Sequence, residues 1–551
     1  MRCTSRIYVD VLVVGSGLAG LTAAISAAEE GARPAIISRG RLCSGSSFYP
    51  GTWGLGLVAP EDEKDEADLE ETILRIGEGM ANPALVHTFT GKIMGSLEYL
   101  EHLGVPLREA KANKEREFIP CFDHKNRLWK GIEKPGSSQM MSKRLRELKV
   151  ACLEHMTIIR LLKEGERVCG ALAVKRKDEG FSLVEILSPA VILATGGMGG
   201  LFTHRLTTDD VTGIGQYLAL ESGAKLFNLE FMQMMLGHVH PAPKTIYNEK
   251  MFRFSRFYGA DKELFSEWEE EEREKQLELR SGYGPFTTRL SSKKVDLEIY
   301  KESQRRREGI RVVYQEEVKR HQPEFIKTYF DWLKEEKNLT MDDLVWLSMY
   351  AHASNGGIAI DEEAFTGVEG LYACGEVTGG MHGADRLGGL SSANGLVFGR
   401  IAGKAAARSE RGKKEGKAAY YYQPLYVILE AKKYLHTIQK LNQQHAMLIR
   451  SERGSKNVLQ ELSKLQSQME RDKTPLEKTD CSMEELLRTV DLEAALELTL
   501  ALHQAILLRR ESRGPHYRED CPKRVNGLNI PIYSWKQDQE IVTHLQMSKF
   551  T

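Results

Sequence analysis

Residues 8–38 read YVDVLVVGSGLAGLTAAISAAEEGARPAIIS. Tyr8 to Val14 has the pattern of a buried strand, Gly15 to Gly20 of a glycine turn, Leu21 to Glu30 of a helix and Pro34 to Ser38 of a second strand, so the chain opens on a βαβ unit. The turn Gly15-Ser16-Gly17-Leu18-Ala19-Gly20 has the spacing GxGxxG and stands between strand and helix, the context this fingerprint requires. Gly15 permits the tight turn, Gly17 lets backbone approach a pyrophosphate, Gly20 lets helix and strand pack closely, and the helix N-terminus stabilises the negative charge. A dinucleotide is therefore expected on this loop, and the spacing alone does not separate FAD from NAD. The acid that usually grips a ribose is missing, because the second strand ends at Ser38 followed by Arg39. Ser38 can hydrogen-bond a ribose and Arg39 can lie near the phosphates; both also fit a plain strand end at the surface.

Working outward, Val168 to Val174 and Phe181 to Leu187 are strand-like runs flanking a polar turn, and Ala190 to Ala194 runs into Thr195-Gly196-Gly197, the pattern of a meander returning to the main sheet. From Lys244 to Asp342 the character changes to a charged run, Glu267 to Arg280, with several aromatics, which reads as an inserted domain whose charges form a solvated helix face. Sheet-like, glycine-rich sequence resumes around Asn355 and Gly370, so the first domain is expected to be discontinuous. After the polar stretch Ser409 to Lys417, apolar residues at three and four spacing predict helices over Pro424 to Leu441, Val458 to Arg471 and Met483 to Arg510.

The whole chain has 551 residues, 41% hydrophobic and 28% charged, enough for several packed domains. With 76 Lys plus Arg against 77 Asp plus Glu there is no general basic field, so nucleic acid is not an expected partner. Eight cysteines stand with no two at CxxC spacing, which removes the usual iron-sulfur, zinc-ribbon and c-type haem readings; no metal is expected. Only nine residues precede Asp10, too few for a leader, and the most apolar stretch, Val11 to Ala28, is interrupted by Gly15, Ser16, Gly17 and Gly20. A soluble, cytoplasmic protein without an integral membrane segment is the expectation.

Three stretches resemble one family together: the N-terminal glycine loop, Ala194-Thr195-Gly196-Gly197, and the run from His352 through Gly399. Residues 375–389, GEVTGGMHGADRLGG, are similar to the GEVTGGVHGANRLGG of the fumarate reductase, succinate dehydrogenase and L-aspartate oxidase flavoproteins, and residues 511–520, ESRGPHYRED, to that family's SRGxHxRxD. The resemblance implies an α/β fold: a Rossmann-like FAD-binding domain over 1–243 and 343–411, an inserted α+β capping domain over 244–342 and a C-terminal helical domain over 412–551. It implies FAD, with Glu376 hydrogen-bonding the adenosine or ribityl portion and Ser391 and Ser392 at a helix start near the isoalloxazine. Ser44-Gly45-Ser46-Ser47-Phe48-Tyr49 resembles the GSTFYAQ of aspartate oxidases; Ser46 stands about where succinate dehydrogenases carry the flavin-linked histidine, which implies noncovalent FAD.

By the same resemblance Arg386 grips a substrate carboxylate, His352 hydrogen-bonds the same substrate, and Arg289, in Thr287-Thr288-Arg289, donates a proton from the inserted domain. A structural ion pair, a buried structural histidine and a helix-cap arginine are the plainer readings of the three. Arginine can pass a proton only where a nearby carboxylate restores it.

The chain also departs from the pattern. Pro50-Gly51-Thr52-Trp53-Gly54 replaces QGG, Ile214 replaces the aspartate of TGDG, and Met235 stands where a substrate-binding histidine belongs. His240 on a longer loop is one replacement; a pocket lined by Met232, Met234 and Met235, suiting a bulkier, less polar substrate than fumarate, is preferred. Cys121-Phe122-Asp123-His124 replaces the arginine-rich stretch of aspartate oxidases, and His124 reads as a surface residue.

The expected function is an FAD-dependent oxidoreductase that transfers hydride between flavin N5 and a small carboxylate-bearing, enoate-like substrate, with an unknown electron donor or acceptor. An L-aspartate oxidase-like oxidation of an amino acid to an imine is the alternative. A flavin-bearing electron-transfer subunit without its own substrate is the alternative of another class.

Overall fold

The computed structural model describes residues 5–109, 121–178, 180–409 and 424–546. Val11–Val14, Pro34–Ile37, Ala151–Leu153, Ala190–Leu193 and Leu371–Ala373 form one parallel sheet, with Ala190–Leu193 and Pro34–Ile37 on either side of Val11–Val14. Alternate residues feed two separate cores: Leu12, Val14, Val191 and Leu193 one, and Val11, Val13, Ile36 and Ile192 the other. Burial on both faces is what allows these strands to be apolar at every position. The helix α1 (Leu18–Glu29) crosses between the first two strands and begins inside the glycine loop rather than at Leu21.

Two local expectations change. The expected strand Tyr8 to Val14 is two strands: Ser5–Tyr8 joins a different sheet, parallel to Phe181–Leu187. Asp10 makes the break, taking the backbone N–H of Arg33 over 2.8 Å and its guanidinium over 3.0 Å. The meander forms as expected, over Arg167–Arg176, Phe181–Leu187 and then Ala190–Leu193 in the main sheet, but it begins one strand earlier, at Met156–Glu164.

The inserted part is built on an antiparallel pair, β1 (Met232–His240) and β2 (Val345–Ser354), continued by Ile310–Tyr314 and Ser255–Tyr258. Both connections to the rest of the chain are thus paired strands. In the charged run only part of the helix Glu270–Arg280 is solvated: Arg280 is fully buried, its Nε 2.7 Å from Asp296 Oδ2. The helix α2 (Glu324–Lys337) holds Trp53, with ring centroids 4.9 Å from Tyr329 and 5.5 Å from Phe325.

The helix α3 (Leu390–Arg408) lies on α1 at backbone contact. A Cβ on Gly399 would come within 2.6 Å of the Ala19 carbonyl oxygen, and one on Gly403 within 2.3 Å of that of Ala23. Only glycine allows that approach. The C-terminal helices span Ala431–His445, Glu452–Asp472 and α4 (Met483–Leu508), the last opened by a reciprocal cap between Ser482 and Glu485. An unexpected hairpin, Ile532–Gln537 with Glu540–Leu545, follows. The expected boundary at 411/412 and most of the polar stretch before it lie outside the described residues.

Candidate active site

A cavity of about 350 Å³ opens where the parallel strands end, lined by Val14, Ile37, Ala194 and Cys374 at or just after the C-terminal strand ends. That is where open α/β sheets take their ligands. Of the residues expected to hold a cofactor, all but Gly20 and Gly197 line it. Those two are needed for packing: a Cβ on Gly20 would lie 1.9 Å from the Gly15 carbonyl oxygen, and one on Gly197 2.4 Å from Glu376 Oε1. Gly15 takes φ +111° and abuts the Ala194 carbonyl, so it also tolerates no side chain.

The helix ends facing the cavity carry no acid in their first turns. At α1 the backbone N–H of Leu18 donates to Ser47 Oγ over 3.1 Å, and α3 starts from Gly389 without a side-chain cap, placing Ser391 and Ser392 on its first turn. Both ends favour negative charge. Ser38 Oγ accepts from Ser16 Oγ over 2.9 Å and donates to the Arg41 carbonyl over 3.0 Å. Arg39 reaches the cavity edge, but its guanidinium is gripped by both oxygens of Asp491 on α4, at 2.9 and 2.7 Å. Its charge is thereby matched within the protein.

Glu376 accepts the backbone N–H of Ser354 on Oε1 over 3.0 Å, and burial raises its pKa above the ordinary carboxylate value. Ser46 Oγ, Thr195 Oγ1, one oxygen of Asp210 and His352 Nδ1 are buried on lining residues without a partner among the described residues. Unpaired buried polar atoms around a glycine cradle and two helix N-termini fit a large anionic dinucleotide rich in hydroxyls. Asp210, which sequence reasoning missed, accepts from Ser44 Oγ over 3.1 Å, four residues before the lining Ile214.

Beyond Glu376 the cavity meets the inserted part. Along β1 and β2, Gln233 pairs with Ala353 and Met234 with Ala351, so His352 is the extra residue of a β-bulge and lines the cavity. Bulges re-aim side chains in this way. Burial, then the nearby Arg386, lowers the His352 pKa to about 3, so the imidazole is neutral. Arg386 also lines the cavity; its Nε and Nη2 donate to Gln233 Oε1 over 3.1 and 2.8 Å, and burial lowers its pKa.

Arg289 does not line the cavity. It stacks over the Phe122 ring, 4.9 Å from its centroid, with Nε 3.2 Å from Asp385 Oδ2 and Nη2 unpartnered among the described residues. Burial raises the Asp385 pKa to about 6 against the opposing pull of Arg289. Of the three expected pocket methionines only Met235 lines the cavity; Met232 and Met234 point into the main core, as strand alternation directs. His240 stacks on Trp346 at 4.1 Å, away from the lining, so it supplies no imidazole there. His124 is half-exposed between Asp68 and Asp123. Cys121 and Glu249 line the cavity, with the Cys121 thiol donating to Glu249 over 3.5 Å.

A nucleotide cradle opening onto a half-buried arginine and a neutral histidine is the equipment of a cofactor-dependent oxidoreductase. The FAD binding domain family matches residues 10–250 and 314–392, and the fumarate reductase flavoprotein C-terminal family matches 436–548. The chain is 27% identical to the fumarate reductase flavoprotein subunit of Escherichia coli, over 98% of this chain and 93% of that one. It is 27% identical to an L-aspartate oxidase of Streptomyces coelicolor, over 94% and 90%. In fold it is similar to Mycobacterium smegmatis Sdh1 in complex with UQ1, with a TM-score of 0.80, 23% identity and coverage of 99% and 95%. The chain belongs to the FAD-dependent oxidoreductases of the fumarate reductase and L-aspartate oxidase flavoprotein family. No helix among the described residues is long and apolar enough to cross a membrane.

Proposed function

We propose that the protein transfers hydride between noncovalently held FAD and a small carboxylate-bearing, enoate-like substrate. Bound FAD supplies the two-electron chemistry. Arg386 grips the substrate carboxylate with the face its Gln233 contact leaves free, and His352 donates a hydrogen bond to the same end as a neutral imidazole. Arg289, recharged by Asp385, delivers a proton to the neighbouring carbon as the inserted part closes over the cavity. Ser46, at the loop position of a linked histidine in related flavoproteins, has a hydroxyl unsuited to that linkage.

One observation carries this reading: the Arg386 guanidinium is half-buried at the cavity wall, held by a neutral amide, with no carboxylate of the described residues within 4.0 Å. A half-buried cation so placed, without a carboxylate partner, is a site for an anion from outside. Amino-acid oxidation is the second reading, supported by the Glu249 carboxylate on the same cavity, which would attract an ammonium. The test is anaerobic reduction of the bound FAD, then mixing with fumarate and aryl acrylates. Reoxidation by an enoate supports hydride transfer; bleaching of the oxidised enzyme by L-aspartate selects the second reading. No response to either class leaves a flavin-bearing electron-transfer subunit.

A further inference from the structure

We propose that the substrate is a monocarboxylate whose far end is hydrocarbon, and that Met235 sets this preference. The proposal rests on the reading of Arg386 as the carboxylate site.

The first ground is a charge inventory. Among the described residues the cavity lining holds two cations, Arg39 and Arg386, and one imidazole, His352. Arg39 is neutralised by the bidentate contact with Asp491, so of these two guanidiniums that of Arg386 is left for a substrate anion. The second ground is placement. Gln233, which holds Arg386, and Met235 lie two residues apart on one face of β1, about 7 Å along the strand. That spacing matches the length of a short acid. Met235 meets Gly284, where an added Cβ would come within 3.0 Å of the thioether methyl and 3.8 Å of Cys121 Sγ. Around Met235 the lining is therefore a thioether, a glycine, Pro285, a thiol and the Glu249 carboxylate.

The Glu249 carboxylate, which accepts from that thiol, lines the cavity beside it. A second substrate carboxylate would be buried beside Glu249 with no cation on the lining; behind this wall the Arg280 guanidinium is already paired with Asp296, Lys250 acts on Cys121 alongside Glu249, and Arg289 is engaged by Asp385. An alkyl or aryl group would pack on the polarisable, adaptable Met235 side chain. In the reaction the alkene π bond breaks and two C–H bonds form. The hydride comes from reduced FAD, which is oxidised, and the proton from the protein.

The test compares acids on the holoprotein. Oxidised enzyme is titrated with succinate and with 3-phenylpropionate, following the flavin spectrum; photoreduced enzyme is mixed anaerobically with fumarate and with trans-cinnamate. We expect tighter binding of 3-phenylpropionate and reoxidation at least about tenfold faster by cinnamate than by fumarate. In Met235→His the ratio should shift toward fumarate by about tenfold or more. Equal or preferred use of fumarate by the unaltered enzyme overturns the proposal while leaving the carboxylate reading intact. Reduction of the flavin by L-aspartate, or no response to any of these acids, overturns both. The wild-type comparison decides the matter even if Met235→His does not fold.

Discussion

Arg289 Nε lies 3.2 Å from Asp385 Oδ2, and the Thr287 hydroxyl donates to the same oxygen over 2.6 Å. The other Asp385 oxygen and Arg289 Nη2 are buried without partners among the described residues. In the proposed reaction these two groups would serve as donor and recharging carboxyl; the carboxyl sits next to Arg386 in sequence.

Burial raises Asp385 from 3.8 to about 6, so it stays protonated in the folded chain where an unfolded chain has already ionised. The stability this protonation gives is complete below about pH 4 and is lost as the pH rises through about 6. If, as proposed, this carboxyl must be protonated to recharge Arg289, the rate of alkene reduction falls as the pH rises through about 6. We expect Asp385→Asn to bind FAD normally, to reduce enoates about 100-fold more slowly, and to lose the inflection near pH 6. Stopped-flow reoxidation from pH 5 to 8 checks this; an unchanged profile removes Asp385 from the proton route.

The α1 and α3 contact sets the direction of both helix N-termini. In Gly399→Ala the new methyl would sit 2.6 Å from the Ala19 carbonyl oxygen, so the helices must part. We expect a loss of about 1–3 kcal/mol and a lower flavin content per protein. Thermal unfolding and the flavin-to-protein absorbance ratio measure the two effects. A variant as stable and as yellow as the parent would show that this contact does not position the cradle.

Much of this frame is legible locally. GxGxxG, the apolar four-residue strands and the long C-terminal helices declare themselves because their signals lie within a few neighbouring residues. The residues that sequence reasoning missed are brought in by topology. Asp491 neutralises Arg39 from 452 residues away, and Asp210 reaches the cavity through Ser44. The bulge that turns His352 inward exists only in the pairing of β1 with β2. The final hairpin was hidden by its turn: Asp538 and Gln539 take positive φ, a conformation that Asn-Gly usually advertises. Trp53, in the stretch that departs from QGG, docks its ring on α2, a contact made only by the tertiary fold.

Within the inserted part Arg280 braces the cavity-lining Gly284, pairing with buried Asp296 and donating to the Gly284 carbonyl over 2.9 Å. Arg280→Ala strands a buried carboxylate, and we expect about 3–5 kcal/mol of destabilisation concentrated between residues 244 and 342. Limited proteolysis with mass-spectrometric mapping should find new cuts there first. In the parent protein the same cuts should slow when a substrate analogue is bound, if the inserted part closes over the cavity.

Titration of the oxidised holoprotein and its Arg386→Gln variant with a saturated carboxylic acid, read from the visible flavin spectrum, probes the carboxylate site without turnover. The parent should show a saturable perturbation, and a variant that retains FAD should lose it, by at least about 100-fold in affinity. An unchanged perturbation in Arg386→Gln would contradict the assignment of Arg386 as the carboxylate anchor.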